Sequence, residues 1–483
     1  MTHDAVVVGA GPNGLAAAVY LAQAGASVLV LEAADDIGGG TRSGELTLPG
    51  FVHDRCSAVH PMAILSPYLR RLALADHGLR WIQPPASVAH PLDDRPAVLL
   101  TRSLADTAAG LDGDSRAYRR LIEPFLSDPH GLYGDALAPL GLPRHPLLLL
   151  RFGLVGLRSA AGLARRFAGA SARALLAGCA GHAILPFDRL VTGAVALLFL
   201  IAGHVEAWPV AAGGSQAIAR ALAGLLAASG GRIETGAHVR SLADLPVARV
   251  YLFDTSPAQL AAIAEPVLPA RYVRRLRRYR YGPGVFKLDW ALDGPIPWRD
   301  PRCLDASTVH VGGRFEELAA AEAAVWRGEH PERPFVMVCQ QSQFDATRAP
   351  PGKHTGYAYC HVPPGSTRDV TTEIERQIER FAPGFRDRIL ARHVITPRDL
   401  ERDNPNYTGG AITGGVADVF QLFTRPVARL DPYTTPNPRL LLCSASTPPG
   451  GGVHGMCGYH AARTALRRIA RGPAVPLQRA LHT

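Results

Sequence analysis

A Gly-x-Gly-x-x-Gly run, Gly9-Ala10-Gly11-Pro12-Asn13-Gly14, sits directly between an apolar strand at residues 5–8 and an Ala-rich helical stretch at residues 15–24. Gly25 breaks the helix, a second apolar strand follows at residues 27–31, and Glu32 ends it. Strand, glycine turn, helix, strand and closing acid together specify a β-α-β unit that binds a dinucleotide. Gly9 permits the tight turn, Gly11 lets backbone approach a pyrophosphate at the helix N-terminus, and Gly14 lets helix and strand pack closely. Pro12 and Asn13 lie within the same turn and complete the expected contact set. Glu32 is expected to accept hydrogen bonds from ribose hydroxyls, and its charge would repel a 2′-phosphate, which disfavours NADP.

A second glycine turn follows the acid: Ala33, then Gly38-Gly39-Gly40-Thr41-Arg42. A long cofactor running from ribose to a flavin ring needs further backbone donors and a cation near its phosphates. This extension resembles that of the large flavoprotein group of phytoene desaturases, amine oxidases and Rab GDP-dissociation inhibitors. Within that group the chain resembles the phytoene desaturase-related proteins, in the branch of the pyridine nucleotide-disulphide oxidoreductase-like mitochondrial proteins. The matching stretches are residues 48–54, 56–61, 208–216, 286–294, 404–410 and 443–456, so they span nearly the whole chain. The resemblance implies FAD, held by Gly9, Gly11, Pro12, Asn13, Gly14, Glu32, Ala33, Gly39, Gly40, Thr41 and Arg42, and by the backbone of Val239. It also implies that the closing turn puts Gly452, Val453, His454 and Gly455 beside the ring, where the N-terminus of the last helix would stabilise charge on reduced flavin.

The expected fold class is α/β. A discontinuous Rossmann-like FAD-binding domain covers residues 1–75, 209–284 and 425–483, and an α+β substrate domain covers residues 76–208 and 285–424. Period and glycine stops predict a helix over 216–228 and strands near 232–235, 250–253 and 440–443, with a final helix over 455–469. Alternating stretches at 285–290, 335–338 and 354–359 predict a mixed or antiparallel sheet flooring the substrate cavity. Residues 76–208 read as a helix-like insertion, with Asp114 or Ser115 capping one helix.

The chain has 51 Lys+Arg against 41 Asp+Glu, a formal charge of +10. The basic residues are dispersed and no nucleic-acid motif accompanies them, so no nucleic-acid partner is expected. The one local cluster, residues 271–280, reads as a solvated helix face, with a membrane surface as the sharper alternative. Seven scattered cysteines without a Cys-x-x-Cys spacing argue against disulfides, zinc and a redox dithiol. The start carries no basic n-region, so no signal peptide is expected and the location reads as cytoplasmic. The longest apolar stretch, residues 190–203, falls short of the roughly 20 residues of a membrane span. Residues 147–151 and 159–179 mix apolar residues with Arg, including Arg151, Arg165, Arg166 and Arg173. That region is expected to pack into the substrate domain, with peripheral contact on a bilayer as the alternative.

A flavin performs hydride chemistry itself, so the protein chiefly orients the substrate. His454, His60, Lys287, Asp289 and Tyr459 are the candidates near the ring, with His454 foremost. Lys287 resembles the strand lysine that amine oxidases hold near the flavin, and otherwise reads as a surface strand residue. The expected activity is oxidation of a C–C or C–N bond in a largely apolar small molecule, with oxygen or a quinone as acceptor. Isomerisation of a polyene on reduced flavin and non-redox binding of a lipid or prenyl group are the alternatives. Oligomeric state is open.

Overall fold

The structure, a computed structural model, describes residues 3–470 of the chain. Apolar runs at residues 5–8, 28–31, 250–253 and 440–442 carry the strands His3–Val8, Val28–Leu31, Ala248–Phe253 and Leu440–Leu442, as suits parallel strands buried on both faces. With Arg232–Glu234 they make a five-stranded parallel sheet, ordered 440–442, 248–253, 3–8, 28–31, 232–234. Val8 pairs with both Phe253 and Leu31, and Phe253 pairs with Leu442, so four strand ends are level. Gly9, Glu32, Asp254 and Cys443 therefore stand side by side at the carboxyl edge, where open α/β sheets bind ligands. Helix Pro12–Gln23 starts there with Pro12 in its first turn, where no N–H is needed. It packs against helices Gln216–Ala228 and Met456–Ile469.

A second, seven-stranded sheet runs 389–395, 284–292, 354–362, 336–339, 306–311, 86–90, 98–101. Its neighbours are antiparallel except Ala306–Val311 beside Ala86–His90, so the sheet is mixed. Side chains alternate across it. Phe286, Leu288, Trp290 and Val338 enter a core closed by Ile374 and Ile378 of helix Thr371–Phe381. Lys287, Asp289, Tyr357, Tyr359, Met337 and Cys339 take the opposite face, and the last four of these line the cavity described below.

Two sequence expectations change. Residues 76–208 are not wholly helical, because Ala86–His90 and Val98–Thr101 join the large sheet. Their pattern is hidden by Pro84 and Pro85 before them and the charged turn Asp93-Asp94-Arg95 between them. Asp114 precedes helix Ser115–Ile122 without capping it, and its carboxylate instead accepts from the amides of Ala168 (3.1 Å) and Gly169 (2.7 Å). Helix Ala270–Arg277 buries Tyr272, Val273 and Leu276 and turns its arginines to solvent. Among the described residues no helix is long and apolar enough to cross a membrane, and all seven cysteines are free.

Candidate functional site

One cavity of about 1250 Å³ opens beyond the carboxyl edge of the parallel sheet, and its wall includes Gly9, Gly11, Pro12, Asn13, Glu32 and Val239. The three fingerprint glycines make room for Asp254, at the end of the neighbouring strand. A Cβ on Gly9 would lie 3.0 Å from the Asp254 carbonyl and one on Gly11 2.8 Å from Asp254 Oδ2, while one on Gly14 would run into the Gly9 carbonyl oxygen and lie 3.1 Å from Asp254 Cβ. Gly9 also needs its φ of +102°. Asp254 Oδ2 accepts from the Gly14 amide at 2.8 Å, so Gly14 braces the turn from behind the cavity wall. Burial, reinforced by Glu32 and opposed by the Gly14 bond, pushes the Asp254 carboxyl up to about 7. The amides of Gly11 and Asn13 meet no acceptor among the described residues, and the buried Asn13 Oδ1 has no partner. The positive end of a 12-residue helix thus faces the cavity with donors to spare.

Glu32 is held at the wall by two backbone amides, Ala10 to Oε2 at 2.7 Å and Ala34 to Oε1 at 2.9 Å. Ala33, beside it, also lines the cavity. The second glycine turn is stitched to the first: Gly38 N donates to the Ala10 carbonyl at 2.9 Å, and a Cβ on Gly39 would lie 3.3 Å from Gly11 Cα. Gly40 abuts the Tyr407 hydroxyl, and Thr41 closes the turn by donating to the Gly38 carbonyl at 2.8 Å. Arg42, expected as the phosphate cation, lines the cavity and is paired with Asp403 at 2.5 Å.

A different arginine stands unpaired. Arg425 is buried in the cavity wall, donates only to the carbonyls of Val416 (2.9 Å) and Ala445 (3.4 Å), and leaves Nε without a partner. No carboxylate pairs with it among the described residues. A buried cation held this way lacks a counter-charge that an anionic ligand would supply.

The closing turn lines the cavity with Gly451, Gly452, Val453 and His454. Gly455 does not reach it. It caps the last helix at φ +65°, and a Cβ there would lie 2.9 Å from Ala16 Cβ, so its role is close packing of the last helix on the first. His454 Nδ1 accepts from the Met456 amide at 3.0 Å, which puts the proton on a buried Nε2 that has no partner among the described residues. Burial lowers its pKa to about 4, so it is a neutral donor.

The other catalytic candidates are placed differently from one another. His60 lines the cavity, but Nε2 lies 2.9 Å from Ser215 Oγ, whose own proton goes to the Ser57 carbonyl at 2.6 Å. Its Nδ1 faces Ser57 Oγ at 3.3 Å, so both nitrogens are engaged, and burial lowers its pKa to about 4. Ser215 in turn donates its amide to Asp54 at 2.8 Å, and Asp54 pairs with the buried Arg348 at 3.1 Å. His60 belongs to this internal network. Lys287 is not a surface residue: it is buried on the cavity side of the sheet, ion-paired to Asp289, with Nζ 4.4 Å from the Tyr357 ring centroid. Tyr357 lines the cavity and Lys287 does not. Tyr459 stays outside it, stacked on Tyr68 at 4.7 Å and edge-on to Tyr20 at 5.2 Å.

One stretch of the wall is mostly apolar and aromatic, with Phe152, Leu198, Phe199, Trp208, Met337 and His182. His182 stacks on Phe199 at 4.4 Å and meets Trp208 edge-on at 5.3 Å. Sequence reasoning missed these residues and Arg425, which come from segments far apart in the chain. Asp254 carried a signal, since it closes a parallel strand as Glu32 does.

Residues 7–86 match the NAD(P)-binding Rossmann-like domain family. The chain is 28% identical to mouse pyridine nucleotide-disulfide oxidoreductase domain-containing protein 2, over 97% of this chain and 94% of that protein. Its fold is similar to that of an oxidoreductase from Methanosarcina mazei, with TM-score 0.64 and 18% identity over 96% and 99% of the two chains. It is likewise similar to putrescine oxidase bound to putrescine, with TM-score 0.61 and 19% identity over 98% and 100%.

Proposed function

Since this chain is a homologue of the pyridine nucleotide-disulfide oxidoreductase domain proteins on a fold shared with an amine oxidase, we propose that it is an FAD-dependent dehydrogenase or desaturase. Its substrate is a largely apolar small molecule, oxidised at a C–C or C–N bond. The observation that carries this reading is that dinucleotide-binding elements and an apolar aromatic wall share one cavity.

The residues present fit FAD. Glu32 is fixed to receive ribose hydroxyls, the free amides of Gly11 and Asn13 and the unpaired Arg425 suit the pyrophosphate's charge, and Val239 offers backbone to the adenine end. Gly452, Val453 and His454 would flank the ring. Bound FAD supplies the two-electron acceptor for a hydride leaving carbon, with oxygen or a quinone as the final oxidant. His454 contributes a neutral Nε2 donor, and the Lys287–Asp289 pair holds the Tyr357 ring in the cavity wall. Phe199, Trp208 and Met337 exclude water from the reacting bond.

An apolar substrate is favoured by the stretch of wall built from Phe152, Leu198, Phe199, Trp208 and Met337. Asp403, which also lines the cavity, is neutralised by Arg42 and Arg55.

The test is spectroscopic. Purified protein should carry oxidised-flavin absorbance, and anaerobic titration with long-chain polyenes and long-chain amines should bleach it for the correct class. Product formation without bleaching would instead establish isomerisation, and protein that stays colourless after added FAD would defeat the proposal. Glu32→Ala should release FAD, with affinity falling by roughly 1.5–3 kcal/mol, the value of hydrogen bonds to a charged group; unchanged occupancy on gel filtration would contradict the ribose role.

A further inference from the structure

Helix Pro146–Gly156 has two apolar faces. One turns Leu149, Phe152, Gly153 and Gly156 into the cavity wall. The other is bare: Leu147, Leu150 and Leu154 recur at three- and four-residue spacing and are 81%, 60% and 67% exposed, and Leu157, just past the helix and 50% exposed, carries the stripe on into the cavity wall. The stripe runs into the cavity mouth, whose rim is itself exposed and apolar, with Leu140, Leu142, Phe423 and Leu430. Arg151 sits on the helix beside the stripe, and Arg144 and Arg158 stand just off its two ends. All three are exposed, and none has a carboxylate partner among the described residues.

We propose that this helix is an in-plane membrane anchor that seats its leucine stripe in an anionic lipid leaflet, so that the cavity mouth opens onto the acyl chains. Leucines on one face with arginines at the border suit the boundary between acyl chains and acidic headgroups. A second copy fits less well, because a face-to-face contact would bring the same arginines together while the helix carries no carboxylate to answer them. Of the two Arg-bearing segments that the sequence offers for bilayer contact, residues 147–151 lie in this helix and most of residues 159–179 do not reach the surface. Helix Ala170–Gly181 is buried along nearly its whole length and serves as core. Membrane docking stands on the exposed face alone, whereas the access route for substrate rests on the apolar-substrate reading.

Flotation of the flavin-loaded protein with vesicles tests it, using phosphatidylcholine alone and phosphatidylcholine mixed with phosphatidylglycerol. The protein should float with the anionic vesicles and much less with the neutral ones. Leu147→Ser/Leu150→Ser/Leu154→Ser touches no cavity residue, so it should keep its flavin and thermal midpoint while binding falls on the order of tenfold. Arg144→Gln/Arg151→Gln/Arg158→Gln should lose the preference for anionic lipid, as should wild type at high salt. Wild-type protein that stays at the bottom, or a leucine variant that floats equally well, would overturn the proposal. So would sedimentation showing a wild-type dimer that the leucine variant breaks, which would assign the face to a second copy. Turnover of an apolar substrate in detergent, without vesicles, is measured separately, so a failure of docking is distinct from a failure of the catalytic reading.

Discussion

Arg425 and Asp254 are the residues whose chemistry is least satisfied by the protein itself. A buried guanidinium bonded only to two carbonyls costs desolvation without a counter-charge, so it is poorly explained by stability. Arg425→Met should leave the melting temperature of the flavin-free protein unchanged or raised, while FAD affinity drops about tenfold or more. Calorimetric titration beside a thermal melt separates the two effects, and a large fall in melting temperature with normal affinity would make the residue structural. Asp254 is raised from the ordinary carboxylate range to about 7, so its contribution to stability is present at low pH and is lost as pH rises through 7. The same ionisation puts a negative charge at the N-terminus of the first helix. FAD affinity of the wild type should therefore weaken as pH climbs through 7, and Asp254→Asn, which still accepts from the Gly14 amide, should flatten that profile. A profile identical in both proteins would remove Asp254 from the cofactor site.

Among the elements, the close contact between first and last helices decides where the closing turn sits. Gly455 is the hinge of that contact, with φ +65° and Ala16 directly against it. Gly455→Ala should push the last helix outward and disturb Gly452 to His454, costing roughly 1–3 kcal/mol of stability from overpacking together with weakened flavin retention. Denaturant unfolding of the flavin-free protein and its FAD affinity check this together; a variant with wild-type values for both would show that the helices can separate freely. The strands tell a complementary story. The inner strands of the parallel sheet were legible because each holds an apolar run, residues 5–8, 28–31 and 250–253, that ends at a glycine or an acid. Ala86–His90 and Val98–Thr101 were not, because they are short and depend on pairing with residues 306–311 and with each other.

At the scale of the whole molecule, burial of neutral histidines makes the fold acid-sensitive. His60, His90, His204 and His454 are each lowered to about 4, and His182 to about 3, all by desolvation first. Each binds a proton more readily unfolded than folded, so their stabilisation is complete above 6.5 and is lost as pH falls from there towards 4. The melting temperature should decline over that window, and His60→Gln should lessen the slope. A midpoint that holds steady down to pH 4 would show that these imidazoles reach solvent.

The dinucleotide turn, Glu32 and the α/β class follow from sequence alone, because each depends on spacing between near neighbours: glycines where a Cβ cannot fit, and an acid at a strand end. Tertiary structure decided everything that depends on distant segments meeting. It buried Lys287 against the Tyr357 ring, paired Arg42 with Asp403, left Arg425 buried with no carboxylate partner among the described residues and put Tyr459 outside the cavity. It also separated two Arg-bearing helices of similar composition, burying Ala170–Gly181 and leaving the leucines of Pro146–Gly156 in the open. Apolar periodicity shows that a helix has a face to bury, and only packing determines whether another part of the chain covers it.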